Sequence, residues 1–366
     1  MQRLNFPIID PHIHQWDPYH TPHSAALLVK AFGHSPYLMD KIVRIVKPKD
    51  LIDTLGITKY ALAPYLPHDF KADNDIYKVE SVVHIEASWH HQKGFGVVEE
   101  TDWINQLPFE EQGIKLGAII GTADPRHKKF KDILKAHVDA SPVFRGIRKM
   151  AAWHSDSGVH SWTDKAELYR SKKFLKGFEN LASMNLSFDA WVYSHQIKDV
   201  THLAKQFPDT PIMLDHLATP VGMFGKVGKR TGRTEVERSK IFEQWKSDIS
   251  ELAQQKNVYT KISGLMMPVL GHCFYQENRT ASVNELVHLL SPLIHHAVDC
   301  FGTNRILYAS NFPMDKPNAK LGDLITAYAQ MLEPYGIQAL QEIFRDNAKI
   351  FYRIDNSSLR QNIDYE

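Results

Sequence analysis

The chain has 366 residues, 43% hydrophobic and 23% charged, with a formal net charge of +1. That is ordinary globular composition, and the near-neutral balance supplies no field for nucleic acid or a membrane surface, so a small-molecule partner is expected. Two cysteines, Cys273 and Cys300, make no disulfide framework, no apolar signal core precedes Ile8, and no long apolar run suggests a membrane span. A reducing cytoplasm fits these features, and a homo-oligomer is left open.

Short apolar, β-rich runs recur down the chain, each followed by an amphipathic stretch. The runs cover residues 7–14, 81–87, 116–121, 143–148, 186–193, 211–216, 257–263 and 305–311. Helical periodicity is expected over 130–140, 174–184, 197–207, 241–255, 283–301, 324–331 and 337–352. Eight alternations of strand and helix predict a parallel sheet with right-handed crossovers, and eight strands close naturally into a (β/α)8 TIM barrel spanning residues 1–366 as one domain. An open doubly wound sheet would want a glycine-rich turn after strand one. Here that strand is followed by Gln15, Trp16, Asp17 and Pro18. Residues 17–75 read as a long insertion between strands one and two. The loop 222–238 after strand six is also long, and its basic stretch 226–233, broken by Gly228 and Gly232, reads as a mobile loop. Long loops at the C-terminal face of a barrel shape the pocket.

Candidate chemistry lies at the strand ends, among 20 histidines. Residues two apart in a strand point the same way, so His12 and His14 project together into the barrel mouth, where two imidazoles can chelate a divalent ion. His216 ends strand six, and parity turns its neighbour Asp215 to the other side, as an anchor for a helix or loop. His195 follows strand five, and either reaches the mouth or caps the next helix. Glu86 ends strand two, on the same face as His84 by parity.

The motifs fall into a set: Ile9-Asp10-Pro-His12-Ile-His14, His84-Ile85-Glu86-Ala87, Arg145-Gly146-Ile147-Arg148, Asp215-His216-Leu217, Lys261-Ile262-Ser263-Gly264, Ser310-Asn311-Phe312-Pro313-Met314-Asp315 and Asp346-Asn347-Ala348. In this order the chain resembles the amidohydrolase-related family, in its branch of sugar-lactone and dicarboxylate-lactone hydrolases. The resemblance implies a TIM barrel and a hydrolase acting on a small-molecule lactone or similar cyclic ester. It implies a divalent metal, zinc first, on His12, His14 and His216 with His195 as a fourth ligand, although some members of the branch work without one. It also implies that Arg148 holds a substrate carboxylate or carbonyl, and that the substrate is anionic or polyhydroxylated.

One departure concerns the end of strand eight, where the family usually has an aspartate that serves as metal ligand and base. Asn311 stands there, and an amide cannot take a proton at neutral pH. Asn311 is then expected to orient substrate or water, with Glu86 or Asp315 as the base. Two rivals are a decarboxylase-type lyase of the same family and a catalytically silent binding barrel.

Overall fold

The computed structural model describes residues 4–22, 26–32, 35–74, 76–87 and 89–355. Eight strands form one sheet in sequence order: β1 (Ile8–Ile13), β2 (Val79–Ile85), β3 (Lys115–Thr122), β4 (Phe144–Met150), β5 (Ser187–Trp191), β6 (Ile212–Leu214), β7 (Val258–Ile262) and β8 (Ile306–Tyr308). Each pairs in parallel with the next. The ring closes beyond the end of β8, where Asn311 N–H donates to the His12 carbonyl at 2.9 Å and His14 N–H to the Phe312 carbonyl at 2.9 Å. The expected TIM barrel is therefore the observed fold.

Both faces of the sheet are buried, as parallel sheets require. Inside the ring, Ile9, Val83, Ile120, Met213 and Leu307 pack with Phe351 and Tyr352 of the C-terminal segment, which plugs the end opposite the site. Outside it, a larger core joins the strands to the surrounding helices. Strands β4 and β5 approach so closely that a Cβ at Gly146 would lie 2.1 Å from the Ser187 carbonyl oxygen, so only glycine fits there.

Helices Phe130–Ala140 and Val283–Phe301 lie where the apolar periodicity places them. The helix expected from 241 begins earlier, as Glu235–Leu252. Thr234 accepts from Glu237 N–H while the Glu237 carboxylate accepts from Thr234 N–H, and this reciprocal cap starts a first turn that carries little apolar signal. The stretch expected as one helix over 337–352 is Gly336–Gln341 and Asn347–Phe351, separated by a π-helical turn over Glu342–Asp346.

Between β1 and β2 the described part of the insertion is helical, with Pro36–Val46, Lys49–Leu55, Thr58–Leu62 and Pro67–Asp73 among its segments. Residues 23–25, 33, 34 and 75 of that stretch lie outside the described residues. Val29, Met39, Val43, Ile52 and Leu62 give it a small core of its own. The loop after β6, expected to be mobile, is held instead. The Asp156 carboxylate accepts from the N–H groups of Lys229 and Arg230 and from the Thr231 hydroxyl, at 2.8–3.1 Å. Among the described residues no helix is long and apolar enough to cross a membrane.

Candidate active site

The pocket opens at the C-terminal ends of the strands and has a volume of about 220 Å³. His14, Glu86, Arg148, His216 and Asn311 line it, with Trp16, Trp162 and Trp191 on its walls. His12 lies just beneath, fully buried, its ring centroid 5.0 Å from that of His14 and 4.5 Å from that of His216. The side-chain parity read from β1 is thus realised, and β6 brings the third imidazole to the other two.

Asp215 is not where parity put it. Instead of facing away from His216 it points into the barrel, 3.4 Å from His12 Nδ1 and 3.1 Å from Lys261 Nζ. The cause is backbone conformation. β6 ends at Leu214, and four successive non-glycine residues, His216, Leu217, Ala218 and Thr219, have φ between 39 and 60°. Strand alternation stops there, so adjacent side chains both reach the site. The turn needs space, and Gly264 provides it: a Cβ at that position would lie 2.5 Å from the His216 ring.

The same reasoning corrects Glu86. It does not share a face with His84, whose Nε2 lies 3.4 Å from Glu100 in the helix Val98–Asn105. β2 ends at Ile85, and Glu86 turns inward to meet Arg148. Arg148 Nε donates to Glu86 Oε1 at 2.9 Å and Nη2 to the Glu86 carbonyl at 2.8 Å, a two-point clamp on one residue. Arg148 also lies 5.6 Å over the Trp191 ring.

Beneath the pocket runs a network that the sequence motifs only partly exposed. Lys261 of β7, fully buried, donates to Asp189 of β5 at 2.6 Å, to Asp215 at 3.1 Å and to His12 Nδ1 at 3.1 Å. Tyr352 donates to Asp189 at 2.7 Å. Burial pushes the Asp189 carboxyl up to about 6, against the attraction of Lys261. The available signal was a charged residue inside each of two otherwise apolar strands, since such residues are seldom fully buried unless paired.

At the β8 end, Asn311 adopts φ 58°, a left-handed conformation that asparagine tolerates. His14 Nδ1–H donates to the Ile85 carbonyl at 2.9 Å, and its Nε2 faces the Asn311 amide at 3.3 Å. The other end of that amide meets Asp315 at 3.0 Å. Asp315 is fully buried, does not line the pocket, and is pushed up to about 7 by burial, against its hydrogen bond from Asn311. His195 stands apart. It lies in the turn Ser194–Gln196 and packs edge-on against His154, centroids 5.1 Å apart.

Burial, with neighbouring cations and imidazoles, lowers all three site histidines: His14 to about 3, His12 and His216 well below the usual range. They are neutral at pH 7 and available as acceptors or ligands. His12, Asp215 and His216 each offer a donor atom within 4.8 Å of the others. Asp215 Oδ2 is buried without a hydrogen-bond partner. This donor set fits a divalent ion. His14 and His195, both expected as ligands, are not part of it.

The amidohydrolase family matches this chain over residues 9–354. The chain belongs to the amidohydrolase family. A relative from Sinorhizobium fredii, the uncharacterized protein y4mH, is 30% identical over 347 residues, covering 95% of this chain and 98% of that one. An L-fucono-1,5-lactonase from Burkholderia ambifaria is 27% identical over 227 residues, 61% of this chain and 66% of that one. Among solved structures, an amidohydrolase from Burkholderia multivorans with bound zinc superposes with a TM-score of 0.67 at 18% identity, covering 95% of this chain and all of the other. A probable 2-pyrone-4,6-dicarboxylic acid hydrolase from Acinetobacter baumannii gives 0.57 at 11% identity, with 95% of this chain covered and all of the other. The chain is thus a hydrolase of this family, similar to its lactonase branch.

Proposed function

We propose that this amidohydrolase opens a lactone or similar cyclic ester, with Glu86 as the base and Arg148 as the partner of the carbonyl oxygen. The observation that carries the reading is the clamped Arg148–Glu86 pair, buried yet lining the pocket. The kinship with a protein named L-fucono-1,5-lactonase supports a lactone as the scissile group.

Water attacks the carbonyl carbon while Glu86 takes its proton. Arg148, already oriented by its two bonds to Glu86, faces the oxyanion without having to reorganise. The ring C–O bond breaks, Glu86 returns the proton to the departing alkoxide, and a hydroxy acid leaves. Asp315, behind Asn311 and away from the pocket, is assigned no proton transfer. Asn311 fixes the orientation of His14. A divalent ion would be held by His12, Asp215 and His216, zinc suiting imidazole and carboxylate donors, and would supply Lewis-acid polarisation and an acidified water.

The test is a pair of isosteric variants assayed on a lactone panel. Glu86→Gln should lose about 10²–10⁴-fold in kcat, the usual contribution of a positioned base, while Asp315→Asn stays within about tenfold of wild type. Full activity in Glu86→Gln, or an equal loss in both variants, would sink the assignment.

A further inference from the structure

The walls of the pocket differ in kind from its base. Trp16, Trp162, Trp191, Met150, Met267 and Met314 line the pocket together with the Arg148–Glu86 pair, as do Leu51 and Leu55 of the helix Lys49–Leu55. Two of the indoles spend their N–H groups inside the protein. Trp16 donates to the Ala63 carbonyl at 2.9 Å and Trp191 to the Thr219 hydroxyl at 2.9 Å, so both present carbon to the cavity.

Of the other polar groups of the wall, the Trp162 indole N–H has no hydrogen-bond partner and is a single donor, whereas Thr54 and His160 are engaged. The Thr54 hydroxyl donates to the Asp50 carbonyl at 2.8 Å, and His160 Nδ1 lies 2.8 Å from the Asp50 carboxylate. Arg148 is the only lysine or arginine among the described lining residues, and Nε and Nη2 are both given to Glu86. Its Nη1 lies 3.4 Å from His12 Nε2 and 3.8 Å from Asp215. With Arg148 given to the ester oxygen, no second cation among the described lining residues remains to pair with a substrate carboxylate.

We propose that the substrate is a small neutral lactone with a flat or alkyl body, carrying no charge and few hydroxyls. This rests on the hydrolytic reading above and departs from the anionic or polyhydroxylated substrate expected from the sequence. Desolvation decides the matter. A sugar lactone would bury several hydroxyls against carbon, and each unpaired hydroxyl costs about tenfold in affinity. A dicarboxylate would bring two charges to a wall that neutralises neither. An aryl or alkyl body stacks on the indoles and thioethers instead, and leaves its single ester group for the polar base. The volume, below the usual range for drug-sized ligands, limits the body to one or two rings.

The experiment compares kcat/KM of the full chain on dihydrocoumarin and δ-decalactone with that on D-glucono-1,5-lactone and 2-pyrone-4,6-dicarboxylate. The apolar pair should lead by at least about 100-fold, the product of two or more unpaired hydroxyls. A lead for the sugar lactone or the dicarboxylate overturns the inference and leaves the hydrolase assignment standing. If none is turned over, that assignment fails, and tryptophan-fluorescence titration with the matching lactams still reads the pocket. Tighter binding of 3,4-dihydro-2-quinolone than of gluconolactam supports the inference, and equal or reversed binding overturns it.

Discussion

The ammonium of Lys261 lies 3.1 Å from Nδ1 of His12, with both side chains fully buried. Arg148 approaches the opposite ring nitrogen at 3.4 Å. The imidazole thus sits between two cations and has one lone pair to offer. Burial first, then Lys261, holds His12 well below the usual histidine range. An uncharged His12 beneath the pocket follows, and Lys261 sets the balance of the two aspartates beside it.

Lys261→Met should therefore be strongly destabilising. It leaves Asp189 and Asp215 buried without their shared cation, a loss of about 3–5 kcal/mol for breaking such a cluster. Urea unfolding at neutral pH measures it. The double variant Lys261→Met, Asp189→Asn should recover part of the loss, because one of the stranded carboxylates is gone. A single-variant cost below about 1 kcal/mol would show that water reaches the cluster.

Asp315 gives a pH signature. Its folded value of about 7 lies above its ordinary value of 3.8, so the native state holds the proton more tightly than the unfolded chain. The resulting stability is fully present below the ordinary value and is lost as pH rises toward about 7. Asp315→Asn keeps the shape and removes the titration. Relative to wild type, the variant should gain about 2–3 kcal/mol between pH 5 and pH 8, read from urea midpoints at each pH. A constant difference across that window would contradict the raised value.

Asn311 links His14 to Asp315, and its amide is bipolar. Its NH2 donates to the Asp315 carboxylate at 3.0 Å, while its oxygen faces His14 Nε2 at 3.3 Å. Asn311→Asp replaces the donor with a second carboxylate beside a buried one. Thermal unfolding should show a loss of about 1–3 kcal/mol, larger at alkaline than at acidic pH, because only one shared proton can relieve the pair. Equal losses at both ends of the range would indicate that the pair is solvated.

The contact between His160 and Asp50 joins the strand-four loop to the insertion helix that roofs the pocket. Asp50→Ala should loosen that roof without disturbing the Arg148–Glu86 pair. KM should rise about two- to fivefold, the worth of one partly exposed hydrogen-bonded contact, with kcat nearly constant. A fall in kcat with KM unchanged would mean that the roof acts on chemistry and not on binding.

The sequence was most legible where backbone geometry is regular. His12 and His14 could be paired because alternation holds along β1, and helix Val283–Phe301 could be bounded because its apolar stripe is continuous. Reading failed where regularity stops. Asp215 was turned the wrong way because the left-handed run begins at His216, which therefore does not take the face opposite its neighbour. Glu86 was misplaced by the same extrapolation past Ile85. Asp189 and Lys261 went unremarked as a pair because they meet only after the sheet closes, 72 residues apart in the chain. His195 has the residue type and the place after β5, but it packs against His154 and is not in the group formed by His12, Asp215 and His216.

The groups assigned to bond breaking come from strand ends around the ring, whereas Leu51, Thr54, Leu55 and Ala61, which bound the cavity above them, come from one contiguous stretch between β1 and β2. Part of what fits is therefore written apart from what reacts. A recombination or a short insertion confined to that stretch can change the molecule admitted while the reaction is inherited intact, which gives such a barrel a direct route to new substrates.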